Sequence, residues 1–547
     1  MQRRLICTLV LALIAATSTW GAERAPAEMT ASDKDALALS AKIDELIAAK
    51  WKEKGIKPAA TTDDAEFLRR VYLDLEGHVP RLLDVGNFLD NPSQEKRWQL
   101  IKKLIQEDRF ATHFAAVWRA IILNQVNSQQ FQAFFVVQFE QFLKQRIREG
   151  AGYDKIVREI VTAAPQGGYG ASAFYQANEN KPENLAASTS KLFLGVKIEC
   201  AQCHKHPFAK WSQNQFWEFA GFFSGLQTGQ TTGKPTALTI PGTDTQVEAR
   251  FLDGKEPEWK NNVDRRVLLA DWLTSADNPW FAREAVNRMW EYFFGVGLVE
   301  PVDDFNPDNP PSHPELLDLL TKEFATHKFD MKFLVRAIVM SKTYQLTSAS
   351  SDASQDDPRM FARMAVRGMS AEQLYDSLAV TTTDKVPQPR YDNFAFGVVN
   401  DPRSDFLSRF PNQDRRSETK TSILQALYFM NGKMTADATS LASTSSNLHD
   451  IAEESNKPIT VLIPCYSGVR VDLVDVGSFS PPIPAAVDHA RHVRELYKIA
   501  LGRNPMAAET ERVAKYLASG GPTKDRKKAL SDVLWALLNS PEFYFNH

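Results

Sequence analysis

The stretch Leu530-Ser-Asp-Val-Leu-Trp-Ala-Leu-Leu538 places its apolar residues at positions i, i+3, i+4, i+7 and i+8. This spacing puts the apolar side chains on one face of an α-helix. Thr523 stands upstream, where its hydroxyl predicts an N-cap. The same stripe recurs at 98–105, and again at 316–324 behind Pro314. The sequence therefore predicts a mainly α, multi-helical protein.

One helical pattern occurs twice in the chain. The two copies share one spacing: Arg69, Tyr72, Gly77 and Pro80, and Arg494, Tyr497, Gly502 and Pro505. In each copy a glycine stops a helix and a proline starts the next one. The pattern predicts two similar helical hairpins that bracket the protein.

Two stretches interrupt the helical pattern. Residues 226–262 are rich in Thr, Gly and Pro with short β-like runs, which predicts a domain junction. Residues 432–490 are interpreted as an insertion whose 459–476 part is strand-like. We therefore expect two domains, at 30–225 and at 263–547, with the insertion inside the second.

The N-terminus has the layout of a secretory signal peptide. Arg3 and Arg4 precede an apolar run, Leu5–Ala16, and small residues follow up to Ala22. This predicts a signal peptide over 1–22, with a retained membrane anchor as the alternative. The run is too short to span a bilayer, and no other stretch is long enough. We expect a periplasmic or secreted chain whose mature form has no membrane span.

Charge and motif content exclude several classes of function. Lys and Arg number 64 against 67 Asp and Glu, so the near-neutral balance argues against a nucleic-acid partner. The chain has no G-x-S-x-G, no H-E-x-x-H and no kinase signature. The sequence therefore identifies no catalytic residues, and whether the protein is an enzyme stays open.

The stretch Cys200-Ala201-Gln202-Cys203-His204 has the C-x-x-C-H spacing by which a c-type haem is attached. Two thiols three residues apart reach two vinyl groups of one porphyrin, and the histidine places a nitrogen on the iron. This predicts haem c at Cys200, Cys203 and His204. His313 is the first candidate for a second iron ligand. Further candidates are His78, His113 and Met289.

Two alternatives remain for the same residues. Cys200 and Cys203 with His204 or His206 also form a cluster of ligands that suits zinc or copper, with Cys465 or a remote histidine as fourth ligand. A disulfide between the two cysteines would need no cofactor. Nearby aromatic residues either wall a porphyrin or, as we favour, pack as helix core: Phe208, Trp211, Phe216, Trp217, Phe219, Phe222 and Phe223.

A second constellation is weaker. Arg283, Asn287 and Arg288 have helical spacing and could bind an anion or a sugar acid on one face. The favoured alternative is that they form salt bridges to neighbouring acids such as Glu284. For the adjacent pair Asp303-Asp304 we expect a loop or helix-start role, because adjacent acids do not face one another.

The chain resembles a known family. The resemblance rests on 70–80 (RVYLDLEGHVP), on 181–190 with 200–208, on 285–290 (AVNRMW), on 297–305 (GLVEPVDDF), on 309–317 and on 534–543. The family consists of exported proteins, mainly of planctomycetes and their relatives. It joins a cytochrome-C-like domain of unknown function to a second domain of unknown function.

The resemblance implies two alternative functions. One is an exported, c-type cytochrome-like protein that passes single electrons. The other is a non-enzymatic binding or scaffold protein of a polysaccharide-degradation system, because such proteins are often exported alongside sulfatase-like proteins. Many relatives carry an extra cytochrome domain that this chain lacks, so the expected redox partner is a separate chain. The expected partners are thus a redox protein, an exported sulfatase-like protein or a polysaccharide.

Overall fold

The computed structural model describes residues 29–123, 130–165, 170–203, 211–383, 385, 387, 402–409, 439, 447–448, 451 and 488–547. Several predictions lie outside these residues. They concern the signal peptide 1–22, His204, His206, Phe208, Cys465 and the strand-like stretch 459–476.

The described part of the chain contains twenty α-helices, numbered α1 to α20 in chain order. The first ten are Ala31–Lys54, Asp64–Leu75, Leu82–Leu89, Lys96–Gln106, Asp108–Ile122, Gln130–Arg148, Tyr153–Thr162, Ala173–Ala177, Pro182–Leu194 and Gln213–Ala220. The second ten are Arg265–Leu273, Phe281–Phe294, Pro314–Thr326, Met331–Met340, Ala371–Thr383, Pro402–Arg409, His489–Leu501, Ala507–Ser519, Arg526–Leu538 and Pro541–Tyr544. The prediction of a mainly α protein is confirmed.

Two short antiparallel strand pairs complete the described structure. Strands β1 (Leu238–Thr239) and β2 (Gln246–Val247) pair inside the predicted junction 226–262. Strands β3 (Arg367–Gly368) and β4 (Phe545–Asn546) also pair, and the sequence did not predict them. Each strand is only two residues long, too short for an alternating pattern to be recognised in the sequence.

Helix α19 shows how the predicted boundaries compare with the structure. It contains the apolar stripe 530–538 but begins at Arg526, and its N-cap is Asp525. The Asp525 carboxylate accepts hydrogen bonds from the amides of Lys527 and Lys528, at 2.9 and 3.3 Å. The prediction of Thr523 as the cap is therefore wrong, because an aspartate closer to the stripe satisfies the free amides.

The two predicted hairpin copies lie against each other. Helix α2 is followed by Gly77, with φ of 76°, and α17 ends at Gly502, with φ of 72°. A Cβ atom on Gly502 would lie 3.5 Å from Pro80 Cγ and 3.7 Å from Arg69 Cβ. Both glycines adopt the left-handed backbone that ends a helix, and the second also allows the two copies to approach closely.

The main hydrophobic core extends from Ala36 to Met364 without a break at the predicted junction. Ile240, Val247 and Leu252 of that junction belong to it. Helices α9 and α12, from opposite sides of the junction, pack against each other. A second core runs from Leu374 to Phe543 and includes α17 and α19. The boundaries 30–225 and 263–547 stay a prediction.

A buried polar network joins the two ends of the described chain. Asp74 of α2 is fully buried, and its carboxylate accepts two hydrogen bonds from Arg367, at 3.0 and 2.8 Å. The same carboxylate accepts hydrogen bonds from the Tyr344 hydroxyl and the Asn546 amide, both at 2.8 Å. Next to it, Arg69 donates to the Phe543 carbonyl at 2.8 Å. The contacts of Arg69 and Asp74 therefore hold α2 against segments from the second half of the chain.

No helix in the described ranges combines the length and the apolar character that crossing a bilayer requires.

Candidate functional site

The two cysteines of the C-x-x-C-H stretch lie on a short surface turn. Helix α9 ends at Gly195, where φ is 66°, and a 3₁₀ turn follows at Glu199–Gln202. Val196 and Ile198 are each 1% exposed, so the segment between helix and turn is anchored in the core. Cys200 and Cys203 themselves are exposed and carry free thiols.

The turn has one residue against the core and both cysteines at the surface. Cys200 lies within the 3₁₀ turn, and Cys203 is the residue that follows it. Between them Ala201 is fully buried, and its amide donates to the Ile198 carbonyl at 2.9 Å. The turn therefore faces the core through Ala201 and faces solvent through both cysteines.

Helix α10 holds the turn from one side. The Gln213 side-chain amide donates to the carbonyls of Gln202 and Cys203, at 3.2 and 3.3 Å. The Trp217 indole also donates to the Gln202 carbonyl, at 3.1 Å. Three hydrogen bonds thus satisfy carbonyls at the end of the turn that no helix would otherwise satisfy.

The second half of the chain holds the segment before the turn. The Phe305 amide donates to the Gly195 carbonyl at 2.8 Å, and Lys197 Nζ lies 2.8 Å from Asp303 Oδ1. Lys191 Nζ lies 3.7 Å from the other oxygen of Asp303. Burial would raise the pKa of the Asp303 carboxyl, but Lys197, Arg288 and Lys191 together hold this pKa below its ordinary value.

A buried contact between a carboxyl group and a guanidinium group lies against Gly195. Glu284 has no exposed surface, and it pairs with Arg288 one helical turn later on α12. A Cβ atom on Gly195 would collide with Glu284 Oε2 and with the Phe305 ring. Burial raises the pKa of the Glu284 carboxyl to about 8, with Arg288 opposing and Asp303 adding to the shift.

The residues considered as a possible anion site, Arg283, Asn287 and Arg288, do not converge. Arg283 pairs with Asp318 at the surface. Asn287 is buried and shapes the following loop, donating to the Val299 carbonyl and accepting from the Val299 amide, both at 2.9 Å. Because Arg288 pairs with Glu284, the three side chains have separate structural roles, and the favoured alternative of salt bridges holds for both arginines.

The histidines are distributed over the molecule. His313, the candidate second ligand, is 4% exposed at the start of α13, and its Nδ1 lies 3.0 Å from Ser312 Oγ. Its Nε2 is buried without a hydrogen-bond partner in the described residues. Burial lowers the pKa of the His313 imidazole to about 4, and Lys50 and Arg359 lower it further. The imidazole is therefore neutral at pH 7, as a metal ligand must be.

The other candidate iron ligands have partners elsewhere in the structure. His78 Nδ1 lies 2.7 Å from the Val79 carbonyl oxygen, and His113 Nε2 lies 2.6 Å from the Tyr292 hydroxyl. Met289 is 2% exposed and packs in the main core. Among the described residues, which do not include His204 and His206, no three His, Cys, Asp or Glu side chains form a metal-binding group.

Most of the nearby aromatic residues are core, as favoured. They are 0 to 7% exposed in the main core: Phe216, Trp217, Phe219, Phe222 and Phe223. Trp211 is different, because it is half-buried and begins a row with Trp280 and Trp272 at centroid distances of 6.5 and 6.3 Å. Phe251 continues the row, stacked on Trp272 at 4.9 Å.

The sequence did not identify the contacts made by Gly195 and Asp303. Gly195 follows an apolar helix, so the sequence is compatible with a helix end there. The Phe305 ring and the Glu284 carboxylate that pack against Gly195 lie more than eighty residues away in the chain. Asp303 lies in a loop, as expected. Its partner Lys197 could not be predicted, because the two residues are far apart in the sequence.

Comparison with known families gives two matches. Residues 42–228 match PSCyt2, a family described as a protein of unknown function (DUF1549). Residues 265–396 match PSD1, likewise described as a protein of unknown function (DUF1553). No curated protein and no solved structure matches the chain.

Proposed function

This chain pairs a PSCyt2 domain with a PSD1 domain, and from that pairing and its C-x-x-C-H stretch we propose an exported, c-type cytochrome-like electron carrier. Haem c would be held by Cys200 and Cys203, with His204 as the proximal ligand. The observation that carries the proposal is the turn itself, which presents two free, exposed thiols three residues apart.

The residues present fit the attachment of a porphyrin. When bound, haem c supplies a one-electron iron couple. Cys200 and Cys203 hold the group, and Ala201 and Ile198 keep the turn fixed against the core. Gln213 and Trp217 hold the end of the turn next to His204. His313 remains our first candidate for a second ligand, since its neutral ring has a free Nε2.

The test is expression in a host with the cytochrome c maturation machinery. We expect a Soret band, a pyridine haemochrome and a mass increase of one haem on the secreted chain. Cys200→Ser with Cys203→Ser abolishes all three, whereas the matched control Cys465→Ser, outside the motif, retains them. A secreted, folded wild-type chain without added tetrapyrrole would overturn the proposal.

The same sample separates the alternatives at these cysteines. One equivalent of zinc without haem would favour a metal site at Cys200, Cys203 and His204 or His206. Loss of two titratable thiols without any added group would favour a disulfide. N-terminal sequencing of the secreted chain tests the proposed signal peptide 1–22 and the periplasmic or secreted location.

The row of half-buried rings favours a second candidate function. Trp211, Trp280, Trp272 and Phe251 form a continuous aromatic strip, and aromatic faces are common in sites for apolar sugar faces. On this alternative the protein is a non-enzymatic binding or scaffold protein of a polysaccharide-processing system. Glycan-array binding that Trp280→Ala removes would support it. Stoichiometric haem without glycan or sulfatase-like partner binding would exclude it.

A further inference from the structure

The segment that leads into the cysteine turn is held by residues from the other half of the chain. Gly195 accepts a hydrogen bond from the Phe305 amide at 2.8 Å. Two residues later, Lys197 Nζ lies 2.8 Å from Asp303 Oδ1. The loop 303–305 therefore contacts both sides of Val196, a residue that is itself buried. Packing and charge together fix the path of the chain just before Glu199.

The charges at this contact are held in place. The side chain of Asp303 is 15% exposed and that of Lys197 is 32% exposed, so solvent screens them only in part. Lys191 of α9 is the second cation near the same carboxylate, at 3.7 Å. One partly buried anion thus lies between two lysines that precede the turn, and Arg288 acts on the same carboxylate.

The thiols are within range of these charges. Lys197 and Cys200 are three positions apart in the chain, so their Cα atoms are at most about 11 Å apart even in a fully extended chain. The 3₁₀ turn that starts at Glu199 shortens this distance. At such separations the Coulomb interaction of partly buried charges changes local ion concentrations severalfold.

We propose that Asp303 is a positioning residue for the cysteine turn: its carboxylate, paired with Lys197 and Lys191, fixes the segment before the turn and sets the electrostatic potential at Cys200 and Cys203. Removal of the anion leaves two unpaired lysines and makes the turn more positive. Removal of Lys197 takes away one positive charge and makes the turn more negative than in the wild type. This inference rests on the cysteine turn being the functional site proposed above, but it does not require haem.

The test compares two thiol reagents that carry the same reactive group and opposite charges, and each variant is compared with the wild type. They are the trimethylammonium-ethyl and sulfonatoethyl methanethiosulfonates, used on the full chain from a host that lacks the maturation machinery. In each reaction the cysteine sulfur forms a mixed disulfide and methanesulfinate leaves. Peptide mass mapping follows Cys200 and Cys203 separately from the other cysteines. The measured quantity is the ratio of the cationic to the anionic rate at one pH.

We expect Asp303→Asn to lower this ratio about threefold or more, and Lys197→Met to raise it by a similar factor. Asp318→Asn, which breaks an exposed pair with Arg283 on the same half of the chain, serves as the control and leaves the ratio unchanged. If Asp303→Asn does not fold, Lys197→Met and Lys191→Met decide, because each must raise the ratio.

A role limited to structure gives a different result. Loosening the turn raises both rates together in Asp303→Asn and in Lys197→Met, with no change in their ratio, and that outcome overturns the proposal. Failure of haem attachment in the maturation-competent host leaves this measurement unaffected. The two proposals can therefore fail separately.

Discussion

Glu284 is the most unusual single residue near the cysteine turn. It is fully buried against Gly195, and its one charged partner in direct contact is Arg288. The sequence allowed this ion pair to be anticipated, because the two residues are four apart on one helix. Its burial could not be anticipated, since it depends on Gly195 and Phe305 from distant parts of the chain.

Glu284→Gln tests the protonation of this carboxyl. Burial raises the pKa from 4.5 to about 8, so the folded state holds a proton that the unfolded state has lost. The contribution of this group to the free energy of unfolding is therefore fully present below pH 4.5 and decreases as the pH rises towards 8. We expect the stability of the wild type relative to Glu284→Gln to fall over this window in denaturant titrations.

The control for that series is Glu315→Gln, which alters an exposed carboxylate in the first turn of α13. Its stability difference from the wild type should be small and constant between pH 5 and 8. A pH-independent difference for Glu284→Gln as well would mean that the carboxyl is ionised throughout this range.

At the scale of elements, the sequence predicted helices well and their contacts poorly. Pro314 begins α13 as predicted, and the apolar stripe 530–538 lies in α19. The helical repeat was recognised as two hairpins, but only the structure shows that Gly502 of one lies against Pro80 of the other. Periodicity reports which face of a helix is apolar, and it does not report which neighbour covers that face.

Gly77→Ala tests a close approach between elements. Gly77 has φ of 76°, and a Cβ atom there would collide with Nδ1 of His113, which is buried on α5. Gly55 also follows a helix with a positive φ, of 67°, but a Cβ atom there meets nothing within 4 Å. In both variants the alanine must adopt the left-handed backbone conformation, which lowers the free energy of unfolding by about 1 kcal/mol.

The collision is what distinguishes the two variants. Gly77→Ala should lose about 2 kcal/mol more than Gly55→Ala in urea denaturation, because overpacking displaces the His113 ring and its contact with Tyr292. Equal losses in the two variants would show that His113 moves aside at no cost.

At the scale of the whole molecule, three distant segments meet at Asp74. Its carboxylate accepts hydrogen bonds from Arg367 in β3, from Asn546 in β4 and from Tyr344, which lies outside both strands. The stretch 70–80, which contains Asp74, is one of those that carry the resemblance to the family. The predicted combination of a PSCyt2 domain and a PSD1 domain in one chain is confirmed. Spacing alone could not show that Asp74 binds Arg367, because nearly three hundred residues separate them.

Asp74→Asn tests how much this junction stabilises the molecule. The change leaves the buried Arg367 without its counter-charge, which costs about 3–5 kcal/mol when an ion pair is buried. We expect a loss of that size in chemical denaturation, together with faster hydrogen exchange in β3 and β4. The exposed ion pair between Arg283 and Asp318 serves as the comparison. Asp318→Asn should lower the free energy of unfolding by less than about 1 kcal/mol. Similar losses for both variants would contradict a central role for Asp74.

The surface position of Cys200 and Cys203 has a consequence for biogenesis. Ala201, Ile198 and Val196 anchor the turn in the core, while the sulfurs take no part in that packing. Because that packing does not involve the sulfurs, folding does not require any group to be bonded to them. The polypeptide should therefore accumulate intact in a host without the maturation machinery, with both thiols still accessible to reagents.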